Sequence, residues 1–222
     1  MIVQVSQKAR KMAQIQTEWV FHLSGGRLCL DFANTLSWRR SGEPIERLNT
    51  YSDLVAWSRQ AEILPRREAT RLSWAGIRRP AEAARVLRAA VELRELIYRI
   101  FSRIAGGGRP RPADLAILNT RLHEALGRLQ VVPKAGQFVL KWLAGEQALD
   151  RMLWPTVRSA AELLTSADLP GLRTCAASNC GWIFLDTSRN HRRRWCDMRV
   201  CGNRAKARRH FHRSKAESGT PG

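Results

Sequence analysis

Apolar residues recur at helical spacing along most of the first 170 positions. The clearest stripe runs through residues 80–105, where apolar side chains return every three or four positions and most basic residues fall outside it. Pro80 suits the first turn of a helix, and the glycine triplet 106–108 is predicted to be a connector that ends it. The pattern predicts one long amphipathic helix with an inner stripe of Val86, Ala90, Leu93, Ile97, Ile100 and Ile104.

Shorter helices are predicted on both sides of the long one. Residues 50–64 open with a capping-box pattern, and a second helix is expected over 66–75. Residues 112–127 begin with a proline and carry leucines on one side. A last helical stretch is expected over 145–166, where Pro155 should kink or split it because proline cannot donate to the backbone ladder.

Three other segments follow different patterns. Residues 128–143 place apolar residues on both sides of a Pro-Lys-Ala-Gly sequence, which predicts a small β-hairpin. The apolar positions of residues 20–36 fit a helix and a strand equally well, so both remain open. Residues 166–171 contain a Pro-Gly pair and mark the natural boundary between an N-terminal domain and the rest of the chain.

The net charge of the chain adds an expectation about its partners, because a strongly basic helical protein is suited to bind polyanions. The 222-residue chain has a net charge of +19, and its hydrophobic fraction of 44% is enough for a packed core. A field of this sign favours nucleic acid first and acidic membranes second. No apolar run is long enough to span a membrane, and residues 1–18 lack the apolar core of a signal peptide. We therefore expect a cytoplasmic protein with a flexible basic leader.

Four cysteines near the C-terminus carry the candidate chemistry. Cys175, Cys180, Cys196 and Cys201 form two pairs with the spacing C-x4-C-x15-C-x4-C. In a reducing compartment such pairs bind metal more often than they form disulfides, and two knuckles supply the four thiolates of a tetrahedral zinc site. The sequence predicts one structural Zn²⁺ held by all four. Cys29 lies in an apolar run and is expected to be a small core residue.

Three alternatives to a four-cysteine structural zinc remain open. The cysteines could form disulfides or stay as free thiols. A histidine could replace one cysteine as a ligand, the candidates being His191, His210 and His212. The metal could also be catalytic, although four thiolates leave no open position for a substrate.

The residues around the cysteines predict a small zinc module. Residues 182–185 have the pattern of a strand, and a helix is expected to start near Cys201. The order of knuckle, hairpin, second knuckle and helix resembles a treble-clef-type finger. Trp182, Trp195 and Phe211 are expected to form its miniature core rather than stacking platforms.

The module is strongly basic. Residues 171–222 contain twelve basic and three acidic residues, a net charge of +9 that a zinc ion with four thiolates lowers only to +7. Arg194 or Arg204 could brace the negative zinc–thiolate cluster. The planar fork of arginine otherwise suits phosphate oxygens and guanine edges. The predicted nucleic-acid-binding residues are Arg189, Arg192, Arg193, Arg194, Arg199, Arg204, Lys206, Arg208, Arg209 and Arg213.

These residues match a known pattern. The run 196–206 resembles the CGNR zinc finger, named for its Cys-Gly-Asn-Arg, and residues 175–186 and 192–196 are also similar to it. Residues 25–35, GGRLCLDFANT, are similar to the opening of the ABATE domain, which accompanies this finger in bacterial proteins. The resemblance covers most of the chain. It implies a mostly helical N-terminal domain, a C-terminal zinc finger, and a role as a stress-responsive transcription regulator.

Four parts are therefore expected along the chain. They are a flexible leader (1–18), a helical ABATE-like domain (19–168), a CGNR zinc finger (172–214) and a disordered tail (215–222). The expected fold class is mainly α with a small β-hairpin, ending in a treble-clef-like four-cysteine zinc finger.

The function expected from these features is a zinc-dependent DNA-binding transcription regulator. The finger would bind double-stranded DNA, and the N-terminal domain would sense a small-molecule effector or form a homodimer. Asp31, Asn34 and Thr35 are polar residues among apolar neighbours and form the candidate ligand pocket. The alternative is that these three residues cap and hydrogen-bond within the fold.

Two other functions are weighed against DNA binding. An RNA-binding zinc protein is the first alternative, although the recognisable RNA motifs are lacking. A small-molecule enzyme is the second. The sequence contains no nucleophile elbow, nucleotide loop or histidine-based metal set, so we expect no enzyme.

Overall fold

The computed structural model describes residues 19–143, 148–208 and 211, so the predicted leader and the tail at 215–222 lie outside it. Helices alternate with three antiparallel strand pairs. The elements are α1 (Leu28–Ala33), β1 (Leu36–Ser37), β2 (Ile45–Glu46), α2 (Tyr51–Gln60), α3 (Arg66–Arg78), α4 (Pro80–Ala105), α5 (Pro112–Leu126), β3 (Leu129–Lys134), β4 (Gln137–Trp142), α6 (Leu153–Leu164), β5 (Leu172–Thr174) and β6 (Ile183–Leu185).

The long helix α4 has the predicted bounds. Pro80 is its first residue, and the helix ends at Ala105 before the glycine triplet. Its inner stripe is buried, with Ala90, Ile97 and Ile100 fully inaccessible to solvent. Because α4 contacts helices α1, α2, α3, α5 and α6 and both strands β5 and β6, it is the central element of the core.

The predicted capping box at the start of α2 is present. The Thr50 hydroxyl accepts a hydrogen bond from the Asp53 backbone N–H at 3.2 Å, and the Asp53 carboxylate accepts one from the Thr50 N–H at 2.8 Å. This reciprocal pair satisfies two of the backbone donors that a helix start leaves open. The neighbouring helix α3 extends to Arg78, beyond the predicted end at residue 75.

The prediction of a kinked helix over 145–166 is wrong. Helix α6 begins only at Leu153, and Pro155 lies in its first turn. Backbone N–H groups in a first turn have no helical acceptor, so proline fits there without breaking the ladder. Residues 148–152 form an irregular lead-in, and residues 144–147 lie outside the described part.

The segment that fitted both a helix and a strand contains one of each. Residues 28–33 form helix α1, and the chain then enters strand β1, which pairs antiparallel with β2. The hairpin predicted over 128–143 is confirmed as β3 and β4, in register from Leu129 opposite Trp142 to Lys134 opposite Gln137.

The C-terminal hairpin of β5 and β6 joins the helical core. Ile183 and Leu185 on β6 are buried in the same apolar cluster as α1 and α4. Phe184, between them, is buried against the four cysteines instead. Successive side chains of a strand point to opposite faces, so this one strand contributes to both clusters. The finger and the helical domain are therefore packed together through β6.

The architecture confirms the expected fold class of helices with small antiparallel strand pairs and a C-terminal cysteine cluster. Within residues 19–143 and 148–208, no helix combines the length and the apolar character that a membrane span requires.

Candidate metal centre

The four cysteines meet at one point. Their Sγ atoms all lie within 4.8 Å of one another, with 3.6 Å between Cys180 and Cys196 and 3.7 Å between Cys196 and Cys201. Four sulfurs about 2.3 Å from a tetrahedral zinc ion are about 3.8 Å apart, so the spacing fits this metal. All four side chains are buried and none is in a disulfide. Four buried thiols at this spacing fit one structural zinc ion, which is the expected cofactor.

The first pair lies inside the β5–β6 hairpin, between its two strands. Strand β5 ends just before Cys175, whose N–H donates to the Trp182 carbonyl at 2.8 Å and extends the ladder into the knuckle. The Cys180 N–H donates to the Ala177 carbonyl at 3.2 Å and closes the turn. The sequence predicted a hairpin after the first knuckle. In the structure the first knuckle is itself the turn of the hairpin, with β5 before it and β6 after it.

Asp197 shapes the second pair. Its carboxylate accepts hydrogen bonds from the N–H groups of Arg199 (2.6 Å) and Val200 (3.2 Å), as an N-cap does. Its carbonyl accepts from the N–H groups of Cys201 at 3.0 Å and Gly202 at 3.1 Å, and the second of these, an i+5 bond, gives the π-helical turn over Met198–Gly202. A Cβ at Gly202 would lie 2.3 Å from the Met198 sulfur, so the exposed Met198 side chain would have to move to admit one. Residues 203–208 continue as the predicted helix.

Close packing couples the protonation of the four thiols. A hydrogen bond with Cys175 is the main cause that raises the pKa of Cys180 and of Cys196. A hydrogen bond with Cys180 is the main cause that lowers the pKa of Cys175. Zinc is bound by thiolates, so metal binding releases the protons that the metal-free cluster retains. Zinc affinity therefore falls as the pH falls.

Of the three histidines considered as alternative ligands, the structure describes His191. The cysteine cluster contains no histidine among the described residues, and the His191 ring instead contacts the Asp186 carbonyl at 3.0 Å. His210 and His212 lie outside the described residues.

Asn34 joins the finger to the helical domain. Its side-chain N–H donates to the Ile183 carbonyl at 2.8 Å, and its side-chain oxygen accepts from the Ile183 N–H at 3.1 Å. The side chain is 2% exposed. The amide thus completes the open edge of β6 as a neighbouring strand would, because one carboxamide offers both a donor and an acceptor.

A glycine pair makes a second junction. The Gly25 carbonyl accepts from the Leu185 N–H at 2.8 Å. A Cβ at Gly25 would lie 2.8 Å from the Leu30 Cβ, and Gly26 has a positive φ of 80°, so the close turn depends on both glycines. The N-terminal motif at 25–35 is therefore the docking site of the finger on the helical domain.

A short turn after β1 makes the third junction. The backbone N–H groups of Arg39 and Arg40 donate to the carbonyls of Cys180 (3.0 Å) and Asn179 (3.3 Å) in the first knuckle. The Arg39 guanidinium forms an ion pair with Glu95 on α4 at 2.8 Å, and its side chain is 6% exposed. Trp38 begins the turn with φ of 56°, a left-handed conformation that is rare for a bulky residue.

The structure places the three candidate pocket residues around α1. The Asp31 carboxylate accepts from the Gly25 N–H at 2.7 Å, and burial raises its pKa to about 6. Thr35 is buried, and its hydroxyl donates to the Phe32 carbonyl at 2.8 Å. With Asn34 bonded to Ile183, these contacts fit the alternative that the three residues hydrogen-bond within the fold. The cavity beside them is about 10 Å³, and the ligand pocket stays a prediction.

The predicted nucleic-acid-binding residues do not share one environment. Arg193 is half-buried, and its guanidinium donates to the carbonyls of Ser24, Trp195 and Cys196. Its Nε and Nη2 donors thus brace the second knuckle, and a contact of Arg193 with phosphate stays a prediction. Arg209 and Arg213 lie outside the described residues. The other predicted residues are exposed, namely Arg189, Arg192, Arg194, Arg199, Arg204, Lys206 and Arg208.

The three aromatic residues expected in the core of the finger differ in burial. Trp182 and Trp195 are half-buried against the cysteine cluster, as expected for a miniature core. The Trp182 indole N–H donates to the Leu36 carbonyl at 2.9 Å and links the core to β1. Phe211 is 65% exposed, so the expectation that it belongs to this core is wrong.

Trp38 and Arg39 contact the finger from the N-terminal domain, and the sequence did not indicate either of them. The Arg204 guanidinium carbon lies 4.3 Å from the centre of the Trp38 ring, and Arg39 lies below the first knuckle as described above. Neither residue belongs to a recognisable motif. The one signal that could have found them is their position directly after the motif at 25–35.

Comparison with known protein families accounts for most of the chain. The ABATE family, described as a putative stress-induced transcription regulator, matches residues 26–167. The CGNR zinc finger family matches residues 172–214. Neither description names a catalytic activity. No curated protein matches the chain.

Proposed function

Because the chain belongs to the ABATE family and carries a CGNR zinc finger, we propose that it is a zinc-dependent DNA-binding transcription regulator. The finger (172–214) binds double-stranded DNA, with zinc as a scaffold and not a catalyst. The helical domain (19–168) serves ligand sensing or dimerisation. The observation that carries the proposal is the set of exposed basic side chains in the described part of the finger, where none forms an ion pair with a described acidic residue.

The ion pairs of the protein support this proposal by their distribution. In the helical domain, Arg94 pairs with Glu46 and Glu95, and Arg99 pairs with Asp114. The ion pairs seen between two described residues all lie between residues 27 and 168, and the described part of the finger has none. Unpaired arginines on a rigid surface are favoured when a polyanion neutralises them, because their mutual repulsion is then relieved and counterions are released.

The junctions at Asn34, Gly25 and Arg39 support a finger that is held rigidly. Fixed arginines lose less side-chain entropy on binding than arginines on a mobile tail. Because the finger is packed on the helical domain through β6, a change of shape or assembly in that domain would move the basic surface with it. This supports a regulatory link between the two parts.

The surface of the helical domain favours dimerisation over ligand sensing. On the β3–β4 hairpin, Val131, Phe138 and Leu140 are 65%, 77% and 56% exposed. Apolar patches of this kind mark interaction sites. Light scattering after size exclusion is expected to give a dimer mass for the wild type and a monomer mass for Phe138→Asp. A monomer mass for both proteins would contradict self-association.

The DNA-binding proposal is tested by a salt titration of duplex binding. The wild type should bind duplex DNA with an affinity that falls steeply as salt rises, as phosphate contacts require. The triple variant Arg192→Ala, Arg199→Ala, Lys206→Ala should bind at least tenfold more weakly. Its control is Arg67→Ala, Arg85→Ala, Arg88→Ala, which removes the same charge from exposed sites of the helical domain. Equal loss in both triple variants would contradict a site on the finger.

Two further arms of that titration separate zinc and RNA from the main proposal. Chelation of zinc should abolish binding, and unchanged affinity after complete metal removal would exclude zinc as the scaffold. Structured RNA of matched length competes in a third arm. If RNA displaces the duplex and the reverse does not occur, the RNA-binding alternative replaces the proposal.

A further inference from the structure

A cavity of about 310 Å³ opens beside the first knuckle. Residues 176–179 of the knuckle and residues of the helix at 203–208 line it, together with Trp195 from the second knuckle. Trp38 of the helical domain also lines it. The cavity is therefore complete only when the two family modules are packed together.

The charged side chains of this lining are mainly basic, and Cys201, one of the four candidate metal ligands, also lines the cavity. It contains the three arginines Arg194, Arg204 and Arg208, and none of its described lining residues is an aspartate or a glutamate. Ser178 and Asn179 add a hydroxyl and an amide that can donate hydrogen bonds. Guanidinium groups bind phosphate oxygens through paired N–H donors. The described lining thus suits a phosphate group and contains no carboxylate that would repel it.

Each arginine of the lining is held in place by a neighbour. The Arg204 guanidinium carbon is 4.3 Å from the Trp38 ring centre, and that of Arg194 is 5.3 Å from the Trp195 ring centre. Arg208 donates to the Ser178 hydroxyl at 2.9 Å. Stacking occupies the flat face of a guanidinium and leaves the in-plane N–H donors available for phosphate.

Trp38 is held against the finger in an unfavourable backbone conformation. Its φ is 56°, and the turn is fixed by the Arg39 and Arg40 N–H groups on the knuckle carbonyls and by the Ser41 N–H on the Trp38 carbonyl at 2.9 Å. Such conformations persist where the surroundings fix them, and they cluster at functional sites. The turn thus places the indole ring under the Arg204 guanidinium.

We propose that this cavity binds a phosphate ester, namely a backbone phosphate of the nucleic acid, and that Trp38 is the positioning residue for Arg204. The inference rests on the proposed function, because it names the part of the polymer that the two modules hold together. It makes the ABATE-type domain a contributor to the nucleic-acid surface and not only a partner of the finger.

The test compares four variants of the full zinc-loaded chain in duplex-binding salt titrations. Arg204→Ala should weaken binding about tenfold and reduce the salt slope by about one phosphate contact. Trp38→Leu keeps apolar bulk but removes the ring, and it should weaken binding about three- to fivefold. Trp38→Phe keeps an aromatic face and should stay within about twofold of the wild type. Arg128→Ala removes an arginine stacked on Trp154 at 4.7 Å, away from the finger, and should have no effect.

A double variant distinguishes positioning from a direct contact. If Trp38 acts through Arg204, then Trp38→Leu combined with Arg204→Ala binds no more weakly than Arg204→Ala alone. Additive losses would overturn the positioning role. Zinc content and thermal unfolding are measured for each variant. If Trp38→Leu does not fold, Trp38→Phe is the test, because a large loss of duplex affinity in Trp38→Phe at full zinc content also overturns the positioning role.

The failures of the two proposals are distinguishable. If the wild type itself shows no salt-dependent duplex binding, the proposed function fails. If the wild type binds but Arg204→Ala and Trp38→Leu match Arg128→Ala, only the phosphate cavity is overturned. A third arm adds adenosine monophosphate at constant ionic strength. Displacement of the duplex from the wild type but not from Arg204→Ala supports a backbone phosphate in the cavity. Arg204-dependent binding of adenosine monophosphate that leaves duplex affinity unchanged would overturn it and assign the cavity to a free nucleotide.

Discussion

Replacing Asn34 by alanine should loosen the finger from the helical domain. The substitution removes the two hydrogen bonds to the Ile183 backbone, at 2.8 and 3.1 Å, in a site that is 2% exposed. Alanine can neither donate nor accept, so the N–H and the C=O of Ile183 are left buried without these partners. Each unsatisfied buried group costs about 1–3 kcal/mol, and we expect Asn34→Ala to lower the free energy of unfolding by about 3 kcal/mol.

The assay is thermal and urea unfolding of the zinc-loaded protein. A loss of about 3 kcal/mol corresponds to a fall of roughly 6–12 °C in Tm for a chain of this size. Hydrogen exchange gives a local readout, because the Ile183 amide should lose its protection before the amides of α4 do.

The matched control is Asn49→Ala. The Asn49 side chain is exposed and donates one hydrogen bond to the Glu46 carbonyl at 3.2 Å, so its loss should change the free energy of unfolding by less than about 0.5 kcal/mol. Equal effects of the two substitutions, or an unchanged Ile183 exchange rate in Asn34→Ala, would refute the assignment of Asn34 as the link between the modules.

Three further outcomes are expected. Glu95→Gln should lower the free energy of unfolding by about 2 kcal/mol, because Glu95 is the acidic partner that the buried Arg39 and Arg94 share. The control Glu162→Gln removes the acid of an exposed pair and should lower it by less than about 0.5 kcal/mol. Urea titration measures both. The raised pKa of Asp31, about 6 against 3.8, means that the fold favours the protonated acid, so stability is lost as the pH rises from about 4 to 6. Asp31→Asn should remove about 2–3 kcal/mol of this pH-dependent loss in the free energy of unfolding. Unfolding curves at successive pH values measure it, and an unchanged loss would contradict the raised pKa. Removal of zinc should increase hydrogen exchange at Leu185 as well as at the knuckles, because β6 belongs to both apolar clusters, and an effect confined to residues 196–208 would contradict that shared packing.

The elements with a strong local pattern could be predicted from the sequence. Helix α4 has the predicted bounds because Pro80, an uninterrupted apolar stripe and a glycine triplet are all local signals. The zinc site was predictable for the same reason, since four thiolates at knuckle spacing serve one metal in nearly any surroundings. Pro155 misled the prediction because its effect depends on which turn of the helix it occupies.

The roles of single polar residues could not be read in this way. Asn34 and Arg193 look in the sequence like a pocket residue and a phosphate contact, yet they bond to backbone groups 149 and 169 positions away, at Ile183 and Ser24. A hydrogen bond depends on where two distant parts of the chain meet, and no local pattern records that.

The sequence by itself determined the helical class, the zinc ligands and the positive charge, because apolar periodicity, thiol spacing and residue charge are properties of neighbouring positions. Only the tertiary structure decided that β6 contributes to two cores, that the motif at 25–35 docks the finger, and that Trp38 lies under Arg204. The physical reason is that packing joins surfaces from distant segments. The arginines left exposed after those junctions form are the ones available to a partner.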